Sequence, residues 1–360
     1  MWEEYPYNLE EIRKAEFPLL WRRKCLKDDA KTDDQDAFGR RGDGRGAAGE
    51  IRAGSIGGQA VSGIVYLDHA GATLYTASQV RRQSERLLSG VYGNPHSSGP
   101  AAAKSSLAAQ RARNKILAFF GVDSSQYSVV FTSGATASMK LIAEQFPWHN
   151  GGTFYHPEES HTSLLGIRAV ASDSGARVHP YALSDTAAQL ERAIEWEERC
   201  DDDEKNCAPS LFSATLECNF SGERVPEELL SSHLQLLEGQ RKKGFKRIFV
   251  LLDAAKFVAT NTLNLSRLCA DFISVSFYKM FGMPTGVGAL LVRNSSAYIL
   301  EKKYFGGGTI AAASRDFYEL THGISQRLED GTLSFLSFES VCDGIELLRS
   351  IGMHRIASHT

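Results

Sequence analysis

The sequence predicts an α/β fold built on a largely parallel sheet. Short apolar runs of strand length alternate along the chain with longer segments of helical character. The short runs are apolar almost throughout, which is typical of parallel strands that are buried on both faces. At 360 residues and 42% hydrophobic residues, the chain has enough apolar material for one large domain and part of a second.

The elements alternate in a regular order. VVFT predicts a strand and TASMKLIAEQF a helix, and the alternation continues through TSLLGIRAVAS, ARVHPYAL and AAQLERAIEW. LFSATL, PEELLSSHLQLL, RIFVLLD, FISVSF and GALLV repeat the pattern. Ligands of such sheets bind outside the carboxyl ends of the strands. We therefore expect the functional site where these strands end and the helices begin.

Four segments are predicted along the chain. They are an N-terminal segment over 1–27, an insert over 28–63, a large domain over 64–335, and the start of a C-terminal small domain, the rest of which is missing, over 336–360. The second segment is rich in Gly, Asp and Arg and nearly free of large apolar side chains. Because it can bury little surface to offset the entropy of ordering, we expect it to be flexible.

Composition excludes several classes of protein. A formal net charge of -3 gives no general attraction to nucleic acid or to an anionic membrane. No signal peptide or membrane-spanning run is recognisable, which predicts a cytoplasmic protein. The six cysteines lack CxxC spacing, so the sequence indicates reduced thiols rather than a zinc site or a disulfide framework.

Two charged residues follow apolar strands. RIFVLLD ends in Asp253, and FISVSF is followed closely by Lys279. A lysine that leaves an apolar strand into a cleft can attack a carbonyl group as a free amine. Such a lysine and carboxylate are what pyridoxal phosphate requires, as an imine-forming amine and a partner for the pyridinium nitrogen. A structural ion pair at the sheet edge explains the spacing equally well.

A third strand end has phosphate-binding character. In VVFTSGATASMKL, the strand leads through Ser133 and Gly134 into a helix. Free backbone N–H groups and hydroxyls at such a turn can hold a phosphate. The alternative is an ordinary helix cap by Thr132 or Ser133. His161, in ESHTSLLG, stands at another predicted helix start, where its ring could cover a planar ligand or merely cap the helix.

These motifs resemble one enzyme family. FTSGAT, ESHTS, LLDAA and SFYKMFGMPTGVGALLV occur in the order found in the cysteine desulfurase branch of the fold-type-I pyridoxal-phosphate enzymes. YLDHAGAT, YGNPHSS, CNFSG, YFGGGT and QRLEDGT extend the likeness over about 65–340. The resemblance implies a three-layer transferase fold. The SFYK motif, in which Tyr278 replaces a usual His, is similar to the molybdenum cofactor sulfurase branch.

The resemblance assigns three residues to the reaction. Lys279 would bond covalently to pyridoxal 5'-phosphate and then remove the α-proton of the substrate. Proton transfer by a positioned group is commonly worth about 10²- to 10⁴-fold. Asp253 would keep the pyridine nitrogen protonated. His161 would stack on the face of the ring.

Other residues would hold the cofactor in place. Ala135, Thr136 and Ser276 match the phosphate-binding positions of the family, and Asn219 would lie near the ring oxygen and the substrate carboxylate. Thr332, in LEDGT, matches a threonine that reaches the phosphate of the neighbouring subunit, which implies a homodimer. Lys256 stands where many desulfurases have Gln. Its ammonium could stabilise the ring oxygen or point elsewhere, so it is not included in the predicted site.

The implied reaction is a sulfur transfer. L-cysteine would lose its sulfur to a cysteine thiolate of the enzyme, leaving alanine and a persulfide. In the sulfurase branch this sulfur replaces an oxygen ligand of the molybdenum cofactor, which activates enzymes such as xanthine dehydrogenase and aldehyde oxidase. Two other functions remain open. One is another pyridoxal-phosphate enzyme, such as a different cysteine desulfurase, an aminotransferase or a lyase; the other is a non-catalytic relic or fragment that binds the cofactor or a partner without completing turnover.

The persulfide cysteine has no match in this sequence. In the family it lies further beyond the LEDGT segment than this chain extends, and only Cys342 follows that segment here. Cys342 lies in an apolar pattern of helical period beside Glu339 and Asp343, which predicts a thiol of low reactivity. We therefore expect this chain alone to bind L-cysteine without sustaining desulfuration.

Overall fold

A computed structural model describes residues 9–17, 66–149, 151–199, 208–244 and 247–360. The predicted insert over 28–63 lies outside them. The chain divides into two compact units, Met1–Leu67 and Asp68–Thr360. In the first unit, helix α1 spans Leu9–Glu16. No described helix is both long enough and apolar enough to cross a membrane.

A seven-stranded sheet lies at the centre of the second unit, with strand order β1-β7-β6-β5-β4-β2-β3. Strand β7 runs antiparallel to both of its neighbours, and the other neighbouring pairs are parallel. The carboxyl ends of all strands except β7 therefore meet at one edge. The strands are β1 Tyr127–Thr132, β2 Thr153–Pro157, β3 Arg177–Tyr181, β4 Ser210–Thr215, β5 Ile248–Asp253, β6 Phe272–Ser276 and β7 Gly288–Arg293.

Helices fill the connections between strands. A capping box starts α2, because the side chains of Thr76 and Gln79 bond reciprocally to backbone N–H groups. The helices of the second unit are α2 Ala77–Ser89, α3 Pro100–Phe119, α4 Ala135–Gln145, α5 Thr162–Leu165, α6 Ile167–Asp173, α7 Thr186–Glu198, α8 Glu227–Lys242, α9 Leu265–Leu268, α10 Phe277–Phe281, α11 Ile324–Leu328, α12 Phe338–Ile351 and α13 Met353–His359.

Apolar clusters cover both faces of the sheet. Successive residues of β5 alternate between them: Val250 belongs to one cluster and Leu251 to the other. The first cluster includes apolar side chains of α3, α7 and α8, such as Leu190, and the second includes those of α4 and α6, such as Ile142. Helices thus pack on both sides of a central sheet, which confirms the predicted three-layer α/β fold.

The last part of the chain contains a two-stranded hairpin and α12. The hairpin pairs β8 Ile310–Ala313 with β9 Tyr318–Leu320. Phe338 and Val341 of α12 pack in the same apolar cluster as α3. The predicted domain boundary after residue 335 stays a prediction. Cys342 is buried. Burial and then the charge of Glu339 raise the pKa of its thiol to about 12, in agreement with the low reactivity that the sequence predicts.

Candidate active site

A cleft lies at the carboxyl edge of the sheet, where the sequence places the site. Seven of the eight predicted site residues line it, and only Thr332 lies elsewhere. Several lining residues were not among the predicted ones, notably Glu217, Lys256 and Ser163. The cleft is lined by Ser133, Gly134, Ala135, Thr136, Ala137, Met139, His161, Ser163, Thr215, Glu217, Asn219, Asp253, Ala255, Lys256, Ser276, Tyr278 and Lys279.

Lys279 is carried by a short helical turn directly after a buried strand. β6 ends at Ser276, and α10 begins at the next residue and places Lys279 in its middle, half-buried in the cleft wall. The Thr73 hydroxyl donates a 2.7 Å hydrogen bond to the carbonyl of Lys279. Gly282 ends the helix at φ +78°, in the left-handed region that favours glycine. The backbone of the lysine is therefore fixed from two sides.

Asp253 lies deep in the cleft at the end of β5. Its side chain accepts one backbone bond, from the N–H of Ala255 at 3.1 Å. Burial raises the pKa of this carboxyl, although the Ala255 N–H and the charges of Lys279 and His161 act in the opposite direction. Among the described residues the structure shows no ion pair to Asp253, so the structural pair that the sequence left open is not observed.

The start of α4 forms a cradle of free donors. Gly134 is the N-cap residue and no side chain caps the helix, so neither Thr132 nor Ser133 plays the alternative role of a cap. The first N–H groups of a helix have no partner within the helix, and they bind anions well. Opposite them, the buried hydroxyl of Ser276 has no hydrogen-bond partner in the described part of the chain. Thr136 lines the cleft beside this cradle.

A second glycine makes the cradle possible. A Cβ atom at Gly288, on β7, would lie 2.7 Å from the Cα of Gly134. The strand therefore packs directly beneath the turn, and any larger residue there would displace the cradle. The packing at position 288 therefore restricts the size of the side chain, whatever its charge.

His161 is the N-cap residue of α5. Its Nδ1 accepts the backbone N–H of Ser163 at 3.1 Å and so caps α5. The capping role that the sequence offered as an alternative is observed, and the ring lines the cleft as well. Since Nδ1 accepts a bond, a ring proton of the neutral imidazole lies on Nε2. The Ser163 hydroxyl also lies 2.7 Å from that of Thr136, which links this wall to the cradle.

A buried glutamate, Glu217, also lines the cleft. Glu217 accepts hydrogen bonds from Lys256 Nζ at 2.9 Å and Asn261 Nδ2 at 3.3 Å, and its other ion-pair contact is to Arg224 Nε at 3.2 Å. Sequence reasoning missed Glu217, although its position just after LFSATL was a signal. Asn219 lies two residues further, in a tight turn that Gly222 closes at φ +73°.

Thr332 is separate from this group. It lines a neighbouring cavity that contains Lys140, Gln145 and Asp330, and that shares Ser133 and Ala137 with the cleft. Within one chain the structure thus does not bring Thr332 together with Lys279.

The donors and acceptors of the cleft fit pyridoxal phosphate. The cradle and the unpartnered Ser276 hydroxyl suit a dianionic phosphate. The carboxylate of Asp253 is buried and accepts one hydrogen bond from the described residues, so it can accept another from a protonated ring nitrogen. Lys279 provides an amine in the same cleft.

Comparison with known proteins identifies the family. Residues 65–360 match the aminotransferase class-V family. The chain belongs to this family. Members that resemble it include the molybdenum cofactor sulfurase of Bos taurus, 41% identical over 332 residues, and that of Arabidopsis thaliana, 39% identical over 320 residues. These alignments cover 89% and 83% of this chain but only 36% and 39% of the relatives. The chain thus spans little more than a third of their length.

Solved structures show the same fold. A cysteine desulfurase from Thermococcus onnurineus NA1 superimposes with a TM-score of 0.67 at 22% identity, covering 83% of this chain and 70% of that one. The cysteine desulfurase CsdA of Escherichia coli gives a TM-score of 0.63 at 20% identity, covering 81% and 69%. At these identities the likeness supports the fold alone.

Proposed function

We propose that this chain is the pyridoxal-phosphate-dependent desulfurase portion of a molybdenum cofactor sulfurase, which takes sulfur from L-cysteine for delivery to the molybdenum cofactor. One observation carries the proposal. Lys279, the buried carboxylate of Asp253, which accepts one hydrogen bond from the described residues, and the anion cradle at the start of α4 all line one cleft. The sulfurase identity rests on the similarity to the relatives described above. The acceptor enzymes proposed are xanthine dehydrogenase and aldehyde oxidase, whose cofactor such sulfurases activate.

The cofactor, when bound, withdraws electrons from the α-carbon of the substrate. The residues of this chain hold the cofactor and move the α-proton. Lys279 provides the amine that holds the cofactor and, once released, the base that takes the α-proton. Asp253 holds a proton on the ring nitrogen, and its burial strengthens that charged hydrogen bond because the local dielectric is low. The cradle fixes the phosphate end, so the reacting atoms keep one orientation towards Lys279.

The proposed subunit arrangement rests on Thr332. In one chain Thr332 lines a neighbouring cavity and not the cleft, so we propose that the phosphate contact comes from Thr332 of a second copy of the chain. A homodimer in which each subunit completes the cradle of the other is therefore the assembly that we propose.

Proton removal provides a test that does not depend on a persulfide cysteine. In deuterated buffer, the protein loaded with pyridoxal phosphate should exchange the α-proton of L-alanine, the expected product, and NMR follows this exchange. Lys279→Ala should slow the exchange about 10²- to 10⁴-fold, because the base is lost. Lys140→Ala, which removes an exposed lysine of α4, serves as the matched control and should leave the rate unchanged.

Covalent labelling locates the lysine independently. Reduction of the loaded protein with borohydride should fix the cofactor to Lys279, as shown by peptide mass spectrometry. A label on Lys256 or Lys140 would contradict the assignment. If L-alanine or L-cysteine failed to react while other amino acids did, the protein would be a lyase or an aminotransferase of another substrate class.

A further inference from the structure

The Glu217–Lys256 pair forms a second charged site inside the cleft. β4 and β5 are parallel neighbours in which Thr215 faces Asp253. Glu217 follows the first strand by two residues and Lys256 follows the second by three, so the register of the sheet brings the two side chains together. Glu217 is 5% exposed. A carboxylate at this depth needs several charged or polar donors to be tolerated.

Glu217 already has all the partners that it needs. Lys256 binds its Oε1, while Arg224 and Asn261 bind its Oε2. Neither Arg224 nor Asn261 lines the cleft, whereas both Glu217 and Lys256 do. The carboxylate therefore acts as an anchor that holds the ammonium of Lys256 at the cleft wall.

The ammonium of Lys256 is not fully used by this contact. An ammonium has three N–H donors, and the structure gives Lys256 one acceptor, Glu217, among the described residues. With Arg224, the cluster carries two positive charges against one negative charge, so it has a surplus of positive charge. A cation with spare donors in a cleft wall is suited to bind an oxyanion.

This cation is distinct from the phosphate cradle. The cradle is built at the ends of β1 and β6, whereas the pair is built at the ends of β4 and β5. The cleft thus offers one uncharged anion site and one cationic site, on different strands.

We infer that Lys256, held by Glu217, binds the α-carboxylate of the amino-acid substrate. The inference rests on the proposed function, since it names the group that recognises the substrate of that cleft. A phenolate oxygen on the cofactor ring has the same oxyanion chemistry, so the test must separate the two sources.

The test compares L-cysteine with cysteamine, which is the same molecule without its carboxylate. Dissociation constants for both are measured on the protein loaded with pyridoxal phosphate, from the change in its visible absorbance. Lys256→Met should weaken L-cysteine binding about 10- to 100-fold, as expected for loss of a hydrogen bond to a charged group. Cysteamine binding should not change. Lys140→Met, which removes an exposed lysine of α4 outside the cleft, is the matched control and should leave both constants unchanged.

The remaining outcomes are each decisive. If Lys256→Met weakened both ligands equally, the ring oxygen would be its partner and the inference would be wrong. Unchanged constants for both ligands would reduce the pair to a structural role. If the wild-type protein took up no cofactor or did not respond to L-cysteine, the proposed function itself would fail. Thermal unfolding of Lys256→Met verifies that the variant is folded, since Arg224 and Asn261 still bind Glu217.

Discussion

Two buried aspartates at opposite edges of the sheet have very different surroundings. Asp271, just before β6, is fully buried. Its carboxylate binds Arg241 at 2.5 Å, the backbone N–H of Val250 at 2.7 Å and the hydroxyl of Ser296. Asp253, at the end of β5, is nearly as deeply buried but accepts one hydrogen bond from the described residues, that of the Ala255 N–H.

The difference distinguishes a carboxylate that stabilises the fold from one that is available to a ligand. At the amino edge, groups of the chain itself bond to the carboxylate of Asp271, so this carboxylate stabilises the fold without a ligand. At the carboxyl edge the chain leaves a carboxylate and the Ser276 hydroxyl incompletely bonded. An incomplete group of this kind costs free energy of folding, and a ligand that supplies the missing partner recovers it.

Asp271→Ala should have the largest effect on stability. The substitution leaves Arg241 without its closest partner, and Glu238 at 3.7 Å replaces it only in part. We expect a loss of about 3 kcal/mol, because breaking a buried pair strands the remaining charge. Urea unfolding of the cofactor-free protein measures this loss. The same loss for Asp253→Ala would remove the contrast between the two edges.

Asp253→Asn should instead stabilise the cofactor-free protein at neutral pH. Burial raises the pKa of Asp253 in the folded state, so the folded chain binds a proton more readily than the unfolded chain. The penalty is absent below the ordinary pKa of 3.8 and grows as pH rises through the raised pKa. The melting temperatures of variant and wild type should therefore converge in acid. A variant that is less stable at pH 7 would show that Asp253 has a partner within the chain.

Two serines of β6 give a smaller, matched comparison. Ser274 donates to the carbonyl of Ala135 at 3.2 Å, whereas the Ser276 hydroxyl has no partner among the residues that the structure describes. Ser274→Ala should lower the free energy of unfolding by about 1 kcal/mol. Ser276→Ala should not lower it, but should weaken binding of pyridoxal phosphate more than that of pyridoxal, which has no phosphate. Equal effects on the two cofactor forms would place the phosphate elsewhere.

Much of this architecture could be predicted from the sequence. VVFT, LFSATL, RIFVLLD, FISVSF and GALLV all fall in strands of the central sheet, because a strand buried on both faces must be apolar throughout. Asp253, Ser276 and Lys279 interrupt or follow such runs, so their placement at the carboxyl edge also follows from the sequence. TSLLGIRAVAS, by contrast, is helical only in two short pieces, which meet at Gly166.

The Glu217–Lys256 pair could not be predicted in the same way. It depends on which strands are neighbours and on their register, since the two residues are 39 positions apart in the chain. β2 also escaped prediction, because TFYHP is short and contains His and Pro. Local sequence patterns thus predict which residues line a cleft, but which of those residues contact each other depends on the strand order and register.

The contacts that hold the backbone around Lys279 have a consequence for chimeric proteins. A Cβ atom at Gly282 would lie 2.4 Å from the backbone nitrogen of Tyr75, and Thr73 bonds to the carbonyl of Lys279. Helix α10, which carries Lys279, and the segment around Thr73 therefore pack closely together, although some two hundred residues separate them in the sequence. A domain exchange with a relative should move both segments together, because a junction between them would pair two surfaces that had not been selected to fit.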